Sequence, residues 1–186
     1  MLPLGTQAPD FKLMDVVSKQ EFSLNNFAGK PGLLVMFICN HCPFVVHLRP
    51  ELIALSNRYV EQGFGVIAIN SNSTQSHPQD GPENMAILAR EEGWQFPFLF
   101  DQDQETAKAF SAACTPDFFV FDGEQKLAYR GQMDDSRPNS GISVTGEDLE
   151  AALEAVLTGA PVSATQKPSL GCNIKWHAGN EPDYFG

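Results

Sequence analysis

Cys39 and Cys42 stand in the stretch Phe37-Ile38-Cys39-Asn40-His41-Cys42-Pro43-Phe44, two thiols one helical turn apart. The apolar run Leu33-Leu34-Val35-Met36-Phe37-Ile38 precedes them and reads as a buried strand, and the residues from Pro43 onward can begin a helix. The first turn of a helix carries backbone N–H groups without internal partners and the positive end of the dipole, and both favour a thiolate over a thiol. Thiols held there can attack a disulfide and then resolve the mixed disulfide internally. Cys39, the first of the pair and the one expected to be more exposed, is the candidate nucleophile, and Cys42 the candidate resolving thiol.

Two further cysteines need a place. Cys114 lies two residues before Pro116 and reads as a small side chain filling core space, with a position near the dithiol as the alternative. Cys172 shares its segment with Gly171 and Trp176, and two readings of it stay open: a distal resolving thiol brought in when the tail folds back, or a packing residue that anchors the tail. Both are candidate additional redox residues. A zinc site built from Cys39, Cys42 and two of Cys114, Cys172, His41 or His177 is the rival reading. It lacks a second closely spaced ligand pair, so no metal is expected. Asp134-Asp135-Ser136-Arg137 reads as a solvated loop with local charge pairing. No glycine-rich phosphate loop, Ser-His-Asp pattern or His-Glu-x-x-His motif occurs.

The elements that must hold the dithiol are those of one domain. With 186 residues and 42% hydrophobic content the chain can bury a core of its own. A formal charge of -11, from 12 Lys and Arg against 23 acids, argues against nucleic acid or an anionic membrane surface as partner. The opening residues show no basic start followed by a long apolar segment, and no run reaches the length of a membrane span, so a cytoplasmic protein is expected. In a reducing compartment the four cysteines point to redox chemistry or metal binding rather than to two structural disulfides.

Residues 1 to 30 alternate in short stretches (Phe11-Lys12-Leu13, Glu21-Phe22-Ser23-Leu24) and predict an N-terminal hairpin. The run 33 to 38 predicts a strand covered on both faces. A helix is predicted from Pro43 to about Gln62, with Leu48, Leu52, Leu55 and Tyr59 inward and Pro50 kinking or dividing it. Phe64 to Asn70 is a second apolar strand, completing a parallel βαβ unit whose following loop falls beside the cysteines. Further expectations are a helix from Pro82 to about Glu92, a short strand over 95 to 101, and a helix from Gln104 to Ala113 with Ala107, Phe110 and Ala113 inward. An antiparallel hairpin around Asp122-Gly123 and a last helix from about Gly146 to Thr158 follow. Residues 1–158 thus form the domain, and residues 159–186 an irregular tail packed on it.

This order of strand, Cys-x-x-Cys helix, strand, helix, then Thr115-Pro116 leading into a hairpin and a final helix, is similar to the thioredoxin fold. The chain resembles the thioredoxin-like and peroxiredoxin-like (redoxin) group that carries Cys-Asn-His-Cys-Pro, over residues 5 to about 158. The tail Pro168-Ser169-Leu170-Gly171-Cys172-Asn173-Ile174-Lys175-Trp176 is also associated with that group. The resemblance implies an α/β fold with a central mixed sheet flanked by helices. It also implies a cis-proline opposite the dithiol, matched here by Pro116, with Thr115 before it offering backbone to a partner polypeptide. His41 occupies the place of a histidine that, in protein disulfide isomerase and the bacterial periplasmic oxidant, favours the thiolate, so it is the expected tuning residue.

A peroxiredoxin-like thiol peroxidase needs Pro-x-x-x-Thr-x-x-Cys and an arginine. Aligning Cys42 with its peroxidatic cysteine puts Cys39 at the Thr, Val35 at the Pro and Pro116 at the Arg. The expected function is therefore thiol-disulfide exchange with a disulfide-containing protein or small molecule, without a bound organic cofactor. An upstream thiol reductant or reductase would restore the dithiol. The alternatives are an antioxidant peroxidase using Cys42 and a non-catalytic zinc-binding or redox-sensing module.

Overall fold

The computed structural model describes residues 2–185. The N-terminal alternation folds as a hairpin, β1 (Lys12–Asp15) antiparallel to β2 (Glu21–Ser23), with Leu13 opposite Phe22. A single turn over Leu24–Phe27 leads into β3 (Gly32–Phe37), which is buried at every residue. Then come α1 (Pro43–Glu61), β4 (Gly65–Asn70), α2 (Pro82–Glu91), β5 (Phe98–Phe100) and α3 (Glu105–Ala109). The chain finishes with β6 (Cys114–Thr115), β7 (Asp117–Asp122), β8 (Leu127–Gly131), α4 (Glu147–Thr158) and β9 (Cys172–Asn173). Seven strands form one sheet in the order β2-β1-β5-β4-β3-β7-β8, and β6 and β9 form a separate two-stranded ribbon. β3 pairs in parallel with β4, Val35 opposite Ile67, and antiparallel with β7, Val35 opposite Phe119. The sheet is mixed, as expected.

Because side chains alternate along a strand, β3 feeds two cores. Leu34 and Met36 face Leu48, Leu52, Leu55 and Tyr59 of α1, Met85 of α2 and Leu149 and Leu153 of α4. Leu33, Val35 and Phe37 face the opposite way, onto a cluster in which Phe110 makes edge contacts with Phe37, Phe119 and Phe121 at centroid separations of 5.5, 5.6 and 5.9 Å. Ile174 and Trp176 from the tail complete this second core, at 2% and 8% exposure. Fully burying a side chain such as Ile174 contributes about 1.5–3 kcal/mol, which is what holds the last segment against the sheet.

Two local expectations are corrected. α1 is not divided at Pro50, because Pro50 and Val46 lie on the exposed side, where water can satisfy the carbonyl that proline leaves without a donor. α3 is shorter than the pattern predicts. Ser111 adopts a left-handed backbone (φ 50°), which ends the helical path after Phe110 and turns Ala112 inward in place of Ala113, which is exposed. No described helix is long and apolar enough to cross a membrane.

Candidate active site

Cys39 leaves the carboxyl end of β3, one residue past Ile38, whose N–H still pairs with Ile69 in β4 (3.0 Å). Cys42 is the N-cap of α1, with Pro43 at the first helical position and the first helical bond running from the Val46 N–H to the Cys42 carbonyl (2.9 Å). The Thr115–Pro116 peptide is cis and faces both sulfurs: Thr115 Oγ1 is 3.6 Å from Cys39 Sγ, and the Cys42 thiol reaches the Thr115 carbonyl at 3.1 Å. Cys39 is expected to be the more exposed of the pair, and the difference is slight: both cysteines are buried, at 2% and 0%.

A third element completes the site from the loop after β4. Asp80 is fully buried and accepts hydrogen bonds from the Asn40 N–H (3.0 Å) and Asn72 Nδ2 (2.9 Å). His41 Nδ1 donates to the same carboxylate at 2.6 Å, and its ring stacks on His77 with centroids 4.8 Å apart. That nitrogen is therefore committed to Asp80, and its 3.8 Å approach to Cys39 Sγ is secondary. Asp80 thus brings a carboxylate charge to bear on Cys39. Cys39, Asp80 and His41 offer three donor atoms within 4.8 Å of one another, the grouping among the described residues that could hold a metal ion. It is not the cysteine-rich zinc set considered above: His177 lies with Gln102 on another loop. The His41 and Asp80 donors are already paired.

The two thiols share their ionisation unequally. The Cys39 pKa is pushed up, first by the hydrogen bond it gives the Cys42 sulfur, then by burial and by the Asp80 charge. The Cys42 pKa is pulled down to about 4, first by that hydrogen bond from Cys39, against burial, with help from the Thr115 side chain and the N–H groups of Val45 and Cys172. The helix terminus acts as the sequence implies, but on the second cysteine. The proton rests on Cys39 and the charge on Cys42; when Cys42 is instead protonated, its thiol has the Thr115 carbonyl as acceptor.

Cys172 is in the site. β9 pairs antiparallel with β6, Cys172 opposite Thr115, the residue whose carbonyl the Cys42 thiol reaches, so Cys172 and Cys42 meet at the same edge. Burial, ahead of the Cys42 sulfur, pushes the Cys172 pKa up. Cys114 sits on the far side of the same ribbon, half-buried, with its thiol directed at the Pro116 carbonyl (3.5 Å). Burial, followed by the Asp117 charge, pushes it up too, so it is poorly suited to attack. Asp80 and Asn72 escape a sequence reading. A lone aspartate between Pro78 and Gly81 looks like turn chemistry, and only its position at the carboxyl edge of the βαβ unit hints at more.

The architecture has counterparts among known proteins. A solved structure of an uncharacterized conserved protein from Geobacillus kaustophilus is 53% identical, with 95% of this chain and 94% of that one covered and a TM-score of 0.92. Thiol-disulfide oxidoreductase ResA from Geobacillus kaustophilus is 26% identical over 155 residues, 82% of this chain and 78% of that protein. A thioredoxin-family thiol:disulfide interchange protein from Chlorobium tepidum, at 18% identity, covers 84% of this chain and 99% of its own with a TM-score of 0.64, which shows the thioredoxin-like fold. The Redoxin family model matches residues 3–153, from ahead of β1 into α4 and across both cysteines, and the chain belongs to that family.

Proposed function

We propose that the protein is a thiol-disulfide oxidoreductase that reduces or exchanges disulfides of a protein or small-molecule partner through Cys39 and Cys42. The observation that carries this reading is the pair of free thiols between the end of β3 and the N-cap of α1, both in contact with Thr115. The relative named as a thiol-disulfide oxidoreductase supports it. In the proposed cycle the proton on Cys39 passes to Cys42, the sulfur it already hydrogen-bonds, and the Cys39 thiolate attacks one sulfur of the partner's disulfide. The other partner sulfur leaves and takes the proton from Cys42. The Cys42 thiolate then attacks Cys39 Sγ, and the partner's second sulfur leaves and takes a proton from solvent, leaving a Cys39–Cys42 disulfide. Two electrons have moved to the partner, and a thiol reductant or reductase returns them. We place this exchange in the cytoplasm, where such a pool exists. His41, held by Asp80, would set the orientation of the loop between the sulfurs, and Thr115 and Pro116 would form the substrate platform.

Cys39→Ser should abolish reduction of a model disulfide, and Cys42→Ser should accumulate a mixed disulfide with the partner. Unchanged turnover in Cys39→Ser would sink the assignment.

The lowered pKa of Cys42 favours one second reading, a thiol peroxidase attacking peroxide through that sulfur. Among the described residues no arginine hydrogen-bonds either sulfur; Arg49 reaches the Asn40 carbonyl instead. Stopped-flow oxidation of Cys42 by hydrogen peroxide at the rate of a free thiol would remove the peroxidase reading.

A further inference from the structure

The edge of Thr115 is already occupied. β9 lies along it in antiparallel register, and the approach is close: a Cβ added at Gly171 would overlap the Thr115 carbonyl. On one side of this contact Ile174 and Trp176 enter the second core, and the backbone between them is pinned by polar groups. Asn72 Oδ1 accepts the Lys175 N–H (2.9 Å), the Ser73 N–H donates to the Lys175 carbonyl (2.7 Å), and buried Gln104 bonds both Lys175 and His177. Asn72 is the residue that also holds Asp80. The tail is therefore fastened to the same loop as the dithiol, and it sets a thiol against Cys42.

We propose that Cys172 is a third redox-active thiol of this site, delivered to Cys42 by the strand seated on Thr115. This inference rests on the dithiol reading and extends it. Once turnover has made the Cys39–Cys42 disulfide, the Cys172 sulfur, on losing its proton, attacks Cys42 Sγ. The Cys39–Cys42 bond breaks, a Cys42–Cys172 bond forms, and Cys39 leaves and takes up the proton. One disulfide is exchanged for another, so no oxidant or reductant is consumed. The consequence is a tail covalently latched across the substrate edge, with Cys39 free, until a reductant opens Cys42–Cys172.

The full chain carrying Cys39→Ser, oxidised with diamide, isolates the pairing of Cys42 with Cys172, with bridges mapped by mass spectrometry of unreduced peptides. A Cys42–Cys172 bridge within one chain is the expected product, with Cys114 still open to alkylation. Bridges between chains only, or a Cys42–Cys114 bridge, overturn the proposal. Adding Gly171→Ala should slow the Cys42–Cys172 bridge roughly tenfold or more, because the strand that concentrates the thiol can no longer seat; an unchanged rate would overturn the role of the strand. Turnover of a model disulfide by the wild type is measured alongside. Its loss with the bridge intact would fault the dithiol reading alone, and turnover without the bridge would fault the third thiol alone.

Discussion

Asp80 Oδ2 lies 2.6 Å from His41 Nδ1, and the same carboxylate acts through space on Cys39, holding its proton on. The histidine between the cysteines is thus tied to an acid that works against ionisation of the first sulfur. In a Cys42→Ser background, Asp80→Asn should bring Cys39 alkylation by iodoacetamide into a lower pH range, since one of the causes raising its pKa is gone. The same change disturbs the hydrogen bonds from Asn40, Asn72 and His41 and should cost about 1–3 kcal/mol of stability. A pH profile that does not move would show that the Asp80 charge is screened from Cys39.

Cys42 should be a thiolate at neutral pH. Its folded pKa, about 4, lies below the ordinary value of 9.0, so the stability this charge contributes is complete above the ordinary value and is lost as pH falls toward the folded one. The ultraviolet thiolate band of the reduced protein should persist through neutral pH and fall with a midpoint near the folded pKa of about 4. Cys39→Ala removes the largest cause of the lowering and should move the midpoint upward. A midpoint unchanged by that variant would mean that Thr115 and the N–H groups of Val45 and Cys172 set the charge without Cys39.

Phe110 is the hub of the second core through its edge contacts with Phe37, Phe119 and Phe121. Phe110→Ala should cost about 3–5 kcal/mol, read as a lowered denaturant midpoint. The thiols lie elsewhere, so disulfide turnover per folded molecule should hold. A loss under about 1 kcal/mol would mean that the neighbouring rings collapse into the cavity.

Gln104 is buried and bonds the Ser71 and Lys175 carbonyls and the His177 N–H, joining α3, the loop after β4 and the tail. Gln104→Ala should loosen residues 172–177 ahead of the domain, seen as faster amide exchange there and faster alkylation of both buried thiols. Exchange unchanged in the tail would show that Ile174 and Trp176 hold it unaided.

The legible parts of this fold are those with short-range causes. β3, β4 and β7 are built on apolar runs, and the parallel pairing of β3 with β4 around the Cys-x-x-Cys follows from the βαβ order. α1 shows its inward face in Leu48, Leu52, Leu55 and Tyr59. The dithiol and Thr115-Pro116 are visible because they are contiguous motifs. What stays hidden depends on groups distant in sequence. The charge on Cys42 in place of Cys39 is reinforced by Asp80, 38 residues beyond Cys42 by numbering, and by the Cys172 N–H, which arrives from the tail. β9 is two residues long and has no pattern of its own; Gly171 hints at a close approach only once Thr115 is known to be its neighbour. The early end of α3 turns on the backbone of one serine.

The strand lying on Thr115 also sets a threshold for any polypeptide that would use that edge. A tethered segment competes at an effective concentration on the order of millimolar. A partner strand must exceed that with its own contacts before it can reach sulfurs that are otherwise out of solvent. Small disulfides, which need no strand pairing, face a different barrier, the depth of the thiols alone. The tail would then act as a discriminator that admits partners by how well they displace it, separating selection of the partner from the chemistry performed on it.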